Sequence, residues 1–107
     1  MSVLLEFAMF PTSDSCREGS SVSKQVAKII DVIDKSGVPY QLTPMGTIIE
    51  ASSMKEALKI VELAYEQLNE CERVYSSLKF DIRKNTQNRL KTKIESVEKI
   101  LNRGINH

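Results

Sequence analysis

Hydrophobic and polar positions change their spacing several times along the chain, and these changes predict its secondary structure. Over Val3–Phe10 every second residue is apolar and Glu6 lies among the intervening positions, which is typical of a strand with one buried face. The face predicted to meet the helices consists of Val3, Leu5, Phe7 and Met9. A second alternating stretch, Arg73–Arg83, predicts a strand whose corresponding face holds Val74, Ser76, Leu78, Phe80 and Ile82.

A stretch with helical spacing follows the first strand. It is expected to begin at a cap formed by Ser20 or Ser21 and to run to about Ser36, where Gly37 is suited to end a helix. Its apolar stripe consists of Val22, Val26, Ile29, Ile30 and Ile33.

Two further helices are predicted in the second half of the chain. Ser53 and Glu56 have the spacing of a capping box, so a helix is expected to start at Ser53 and to fade near residues 69–72. Its stripe consists of Met54, Ala57, Leu58, Val61, Ala64, Tyr65 and Leu68. The last helix is expected over Gln87–Arg103, before Gly104, with a stripe of Leu90, Ile94, Val97 and Leu101.

The centre of the chain, Tyr40–Ala51, predicts a hairpin of two short strands. Residues 40–43 and 47–49 are β-prone. Pro44 has no backbone donor and Gly46 can take positive φ, so the chain is expected to reverse between them. The elements therefore follow the order βαββαβ, with one more helix at the end.

This order predicts an α+β fold, the ferredoxin-like split βαβ sandwich with a four-stranded antiparallel sheet. Right-handed crossovers would place the first two helices on one face, with strands 1 and 3 in the middle. The other face, called here the open face, is expected to mix apolar and charged residues: Leu4, Glu6, Ala8, Phe10, Tyr75, Ser77, Lys79, Asp81 and Arg83. Because its apolar members would otherwise form an exposed patch, we expect a homo-oligomer, a dimer at least.

Composition and charge narrow the class of protein. The length of 107 residues predicts a single domain, 1–107, and the formal net charge of +1 gives no field that would attract nucleic acid or anionic lipid. No apolar run reaches the roughly 20 residues that span a bilayer, and the start of the chain lacks the basic region of a signal peptide. We therefore expect a cytoplasmic protein with neither nucleic acid nor membrane as a partner.

Reactive and metal-ligating residues are few. Cys16 and Cys71 are far apart in sequence, and a disulfide between them is not expected in a reducing compartment. His107 is the only histidine, so no metal site or cofactor is expected. The loop with Arg17 and Gly19 departs from an acylphosphatase pattern, and no catalytic motif appears, so we do not expect an enzyme.

Candidate binding residues fall into two groups. Thr47 and Glu50 offer a hydroxyl and a carboxylate for a cationic or amino-bearing heterocycle; alternatively, Glu50 faces the start of the second helix, where the helix dipole favours it. Four charged residues are expected on the open face, as ion pairs or as the floor of a ligand cleft between subunits: Glu6, Lys79, Asp81 and Arg83. Glu6 is expected to pair with Lys79 or Arg83. The basic run between Ile82 and Ile94 favours a solvated helix face over a phosphate site.

Several segments together resemble a known family. The most specific is the hairpin Pro44-Met45-Gly46-Thr47-Ile48-Ile49-Glu50. It is accompanied by Phe10-Pro11, Ser21-Val22-Ser23, Arg73-Val74 with Asp81-Ile82-Arg83, and Lys93 with Val97. In these segments the chain resembles the small thiamine-binding protein family over nearly its whole length. It departs from the family pattern at Ala51-Ser52-Ser53 and Lys84-Asn85-Thr86.

The resemblance implies a ferredoxin-like fold, a dimer or a dimer of dimers, and binding of thiamine or a related hydroxymethylpyrimidine without turnover. It implies a pocket at the hairpin formed by Met45, Gly46, Thr47 and Glu50. The alternative is a structural or regulatory ferredoxin-like module that acts through oligomerisation or a protein partner.

Overall fold

The computed structural model describes residues 1–13, Cys16 and residues 23–107. The elements in chain order are β1 Ser2–Pro11, α1 Ser23–Ser36, β2 Tyr40–Thr43, β3 Gly46–Ala51, α2 Met54–Glu66, β4 Val74–Arg83 and α3 Arg89–Leu101. This is the predicted order, and each predicted boundary lies within a few residues of the observed one. The predicted cap at Ser20 or Ser21 and the stripe member Val22 lie outside the described residues.

The four strands form one antiparallel sheet in the order β2-β3-β1-β4, which confirms the α+β ferredoxin-like fold. β1 pairs with β3 from Val3 opposite Ala51 to Phe7 opposite Thr47. It pairs with β4 over all of its ten residues, from Ser2 opposite Arg83 onward. The long β1–β4 ladder therefore extends past the end of β3.

One face of the sheet forms the core with α1 and α2. All four β1 residues predicted to face the helices are buried: Val3, Leu5, Phe7 and Met9. Ile29 and Ile33 from α1 and Ile60 and Leu68 from the α2 segment complete this core. Ile60 was absent from the predicted stripe of α2, whereas Leu58 and Tyr65, which were included, are exposed. The buried face of α2 consists of Ala57, Ile60 and Ala64.

The helix ends agree with the sequence predictions at Ser53 and Gly37 but not at Gly104. Ser53 Oγ accepts a hydrogen bond from the backbone N–H of Glu56 at 3.1 Å, as predicted for the start of α2. Gly37 follows α1 with φ of +81°, which suits glycine at the end of a helix. The prediction that Gly104 ends α3 was wrong: α3 ends at Leu101, and Asn102 adopts the left-handed conformation that stops it.

α3 begins on the opposite, open face of the sheet. Residues alternate between faces along a strand, so Glu50 lies on the other face from the buried Ile49 and Ala51. The first backbone N–H groups of α3, those of Arg89 and Leu90, donate to the Glu50 carboxylate. The open face is therefore covered by α3 at this end.

Cys16 and Cys71 form a disulfide, which corrects the expectation that they would not pair. The Cα atoms are 5.8 Å apart, within the usual range for a disulfide. The pairing arises because the end of β1 and the start of β4 are neighbours: Thr12 N donates to Arg73 O at 2.8 Å. Cys16 follows this end of β1 and Cys71 precedes β4, so the fold brings together two residues that are distant in sequence.

Candidate functional site

A cavity of about 320 Å³ lies beside the tip of the β2–β3 hairpin. β3 ends its pairing with β1 at Thr47, while β1 continues beside β4 to Pro11, so the sheet has a notch at this corner. The N-terminal half of α1 closes the notch from above. The apolar walls of the cavity are formed by Phe7, Phe10, Val26, Ile29, Leu42 and Met45.

Thr47 supplies a polar side chain to this cavity. Its side chain is on the helix-facing side of β3 and the residue is only 6% exposed. Within the described residues, its hydroxyl has no hydrogen-bond partner. The hydroxyl is not itself fully buried, so it is open to the cavity and suited to bind a polar atom of a ligand.

Gly46 is required by the packing of the backbone at this corner. A Cβ atom at this position would lie 2.8 Å from the carbonyl oxygen of Phe7. The group that approaches this glycine closely is the backbone of β1. The neighbouring turn is held by Thr43 Oγ1, which donates to Gly46 O at 2.9 Å and accepts from Met45 N at 3.2 Å.

Glu50 is at the other end of β3 and caps α3. Its carboxylate accepts hydrogen bonds from Ser2 Oγ at 2.6 Å, Arg89 N at 2.9 Å and Leu90 N at 3.1 Å. Glu50 therefore lies at the start of a helix, as the alternative interpretation predicted. The helix is α3, however, and not α2. α3 has no acidic residue in its first turn and no capping bond from Asn88, so Glu50 supplies this function.

The guanidinium of Arg89 completes this network. Its Nε donates to Ser2 Oγ at 2.9 Å, and its Nη1 forms an ion pair with Asp81 Oδ2 at 2.8 Å. Burial tends to raise the pKa of Glu50, but the hydrogen bonds from Ser2, Arg89 and Leu90, together with the Arg89 charge, lower it below its usual range. Glu50 is thus held ionised at neutral pH.

The remaining predicted residues lie along β1 and β4 on the open face. Glu6 is directly opposite Lys79 and Arg83 is opposite Ser2, but among the described residues Glu6 forms an ion pair with neither Lys79 nor Arg83. Asp81 is bound by Arg89 and belongs to the Glu50 network. Arg89 is also a member of the predicted basic run. Because its side chain is largely buried in this network, the run is not wholly a solvated helix face.

The structure therefore separates the predicted site residues into three places. Met45, Gly46 and Thr47 meet at the cavity. Glu50 and Asp81 meet at the start of α3, while Glu6, Lys79 and Arg83 stay on the open face. Thr47 and Glu50 are three residues apart on one strand, so they face opposite sides of the sheet and do not line one pocket within a single chain.

Two residues of the Glu50 network were not predicted from the sequence. Ser2 lies at the start of β1 and Arg89 at the start of α3, 87 positions apart. One signal was available, because no acidic residue stands in the first turn of α3 to satisfy its N–H groups. Which distant carboxylate fills that role depends on the sheet register.

Within residues 1–13, 16 and 23–107, no group of three His, Cys, Asp or Glu side chains is arranged to hold a metal ion. Among the helices of that part of the chain, none is long and apolar enough to cross a membrane.

Comparison with known proteins decides the family. The pattern of the thiamine-binding protein family matches residues 5–98, a range that includes the hairpin and both long strands. The chain belongs to the thiamine-binding protein family. The UPF0045 protein MJ1052 of Methanocaldococcus jannaschii is 35% identical over 96 residues, which cover 89% of this chain and 91% of that protein. A UPF0045 protein of Methanothermobacter thermautotrophicus is 35% identical over 81 residues, covering 74% and 82%.

Solved structures agree on the fold. The crystal structure of MJ1052 matches this family member with a TM-score of 0.73 at 35% identity, covering 90% of this chain and 95% of that one. A Thermotoga maritima crystal structure matches with a TM-score of 0.72 at 19% identity, covering 91% and 99%. Identity this low supports the fold alone and carries no information about the ligand of this chain.

Proposed function

We propose that this protein binds thiamine or a related hydroxymethylpyrimidine in the hairpin cavity, without catalysing a reaction on it. The observation that carries the proposal is the cavity itself, where Met45, Gly46 and Thr47 from the hairpin motif line an apolar space and Thr47 supplies a hydroxyl to it. The membership of the thiamine-binding protein family supports the choice of ligand.

The size and chemistry of the cavity suit a small heterocycle. Its volume of about 320 Å³ is at the lower end of the range for small-molecule pockets, roughly 300–1,000 Å³. Apolar walls can flank a flat ring on both sides, while Thr47 Oγ1 can donate to a ring nitrogen or accept from an amine. None of the described lining residues carries a titratable side chain, which favours binding over acid–base catalysis.

Glu50 has a different part in this proposal. Its carboxylate is occupied by three hydrogen bonds and is on the other face of the sheet. We propose that it holds α3 in place, and that any charge facing the thiazolium comes from outside the described cavity lining. Glu6 and Lys79 remain candidates for a cleft between subunits.

We also propose that the protein forms a homo-oligomer. β4 is an edge strand with one side of its ten-residue backbone unpaired among the described residues. Leu78 and Ile82 on its helix-facing side are 41% and 48% exposed. A long edge with apolar side chains readily pairs with another strand, and a second copy of this chain offers a matching one.

Calorimetric titration of the purified protein with thiamine and with hydroxymethylpyrimidine tests the proposed function. Thr47→Val keeps the shape of the side chain and removes the hydroxyl, so it should weaken binding by about two- to tenfold. Ser77→Ala, an exposed change on the open face, is the matched control and should bind like wild type.

Two outcomes would count against the proposal. Equal affinity of wild type and Thr47→Val would move the ligand out of this cavity. No heat of binding with thiamine or any pyrimidine analogue would overturn the proposed function and leave the oligomeric module as the interpretation.

A further inference from the structure

The notch beside the cavity exposes backbone as well as side chains. β4 pairs with β1 as far as Val74 opposite Pro11, whereas β3 stops at Thr47 opposite Phe7. On the β3 side, β1 therefore continues for several residues with no strand beside it in the described chain. Unpaired N–H and C=O groups at such an edge are strong hydrogen-bonding sites.

The register identifies which residue presents these groups to the cavity. Thr12 N donates to Arg73 O, which continues the β1–β4 register and makes the even-numbered residues of β1 those bonded to β4. Odd-numbered residues consequently turn their backbone groups toward β3. The backbone groups of Phe7 face Thr47 there, whereas those of Met9 face the cavity, which Met9 also lines. Pro11 has the same orientation and, as proline, has no N–H to donate.

We propose that the backbone N–H and C=O of Met9 bind the amine edge of a 4-aminopyrimidine ring. In an extended strand the N–H and C=O of one residue lie side by side and point the same way. A 4-aminopyrimidine offers the complement, a ring nitrogen that accepts and an adjacent exocyclic amine that donates. The ring thus takes the place of the missing β3 residue, as an added strand does in peptide recognition. This inference rests on the proposed function and specifies how the site selects its ligand.

The other cavity groups fit the same placement. Phe7 and Met9 have their side chains on the helix-facing side, and Phe10 has its side chain on the open face, so the notch is lined from both faces of the sheet. A ring bound edge-on to Met9 would lie between these apolar walls. Thr47, the last β3 residue paired with β1, is next to the bound edge and can satisfy a further polar atom of the ring.

A series of analogues tests the inference on the wild-type protein. Oxythiamine carries a carbonyl and a ring N–H where thiamine carries the amine and the ring acceptor, so its hydrogen-bonding pattern is reversed. We expect its affinity to be lower by more than about tenfold, since two hydrogen bonds are lost and like groups face each other. Pyrithiamine keeps the aminopyrimidine and changes only the second ring, so it should bind within a few-fold of thiamine.

A backbone change tests the same point from the protein side. Met9→Pro removes the N–H that faces the notch, while the β1–β4 ladder at this residue does not use it, as already holds for Pro11. Met9→Leu changes the same cavity wall but keeps the N–H, so Met9→Pro should weaken thiamine binding by about two- to tenfold more than Met9→Leu does. Circular dichroism checks the fold of both variants.

The outcomes separate the two proposals. If thiamine and oxythiamine bind wild type equally, the Met9 edge is not the recognition element, although the proposed function stands. If neither binds, both proposals fail. Should Met9→Pro fail to fold, the analogue series on wild type decides.

Discussion

At the scale of single residues, Glu50 shows how one side chain can suit two functions in sequence and only one in the structure. A carboxylate after two isoleucines at a strand end could bind a cationic ligand or cap a helix. In the fold, its oxygens accept from Ser2, Arg89 and Leu90, and the residue is 9% exposed. A carboxylate with this many donors is committed to holding α3 against the sheet.

Glu50→Gln should therefore lower the free energy of unfolding. The amide keeps the size of the side chain but loses the charge and turns an N–H₂ group toward backbone donors. We expect a loss of about 1.5–3 kcal/mol, the value of a hydrogen bond to a charged group, measured by urea denaturation. Glu6→Gln is the control, because Glu6 is exposed on the same face. Unchanged stability of Glu50→Gln would show that the cap is not needed.

The same substitution should change the dependence of stability on pH. The folded protein holds the pKa of Glu50 below its ordinary value of 4.5, so the native state binds this proton less readily than the unfolded chain. The stabilisation is complete above the unfolded pKa and is lost as pH falls through the folded one. The difference between wild type and Glu50→Gln should thus be largest near neutral pH and shrink below about pH 4.5. A difference that stays constant down to pH 3 would contradict this reasoning.

At the scale of elements, the disulfide connects the segment after β1 to the segment before β4. Cys71→Ser should lower the free energy of unfolding by about 2–4 kcal/mol, because the bond restricts the unfolded chain over a sequence separation of 55. Denaturation with and without reductant measures this: reductant should destabilise wild type and leave Cys71→Ser unchanged. A count of two free thiols in protein purified without reductant would show that the bond does not form, as expected if the chain stays in a reducing compartment.

At the scale of the whole molecule, the chain is extended for its length. Its radius of gyration is 15.4 Å, compared with about 13 Å for a compact domain of 100 residues. The long β1–β4 ladder and α3 contribute to this shape, and α3 leaves Val97, Ile100 and Leu101 exposed. Such a surface is consistent with burial against another copy of the chain.

Ser76→Pro should dissociate an oligomer that forms through the edge of β4. The register turns the even-numbered backbone groups of β4 away from β1, so proline at Ser76 removes an outward donor and spares the β1–β4 ladder. Light scattering should give at least twice 12.1 kDa for wild type and about 12.1 kDa for the variant, with Ser76→Ala as the control. A variant that stays oligomeric would place the interface elsewhere, and monomeric wild type would refute the oligomer.

The sequence by itself determined the order of elements, the inward face of β1 and the hairpin, because alternation, capping and turn residues are local properties. The family followed from the same hairpin. Only the tertiary structure decided that Thr47 and Glu50 serve opposite faces, that Arg89 and Ser2 join Glu50, and that Cys16 meets Cys71. The unpaired backbone of Met9 was likewise decided by the tertiary structure, since it exists only because β3 stops before β1 does. These features depend on register and on contacts between distant segments, and no local pattern of residues encodes where one strand stops beside another.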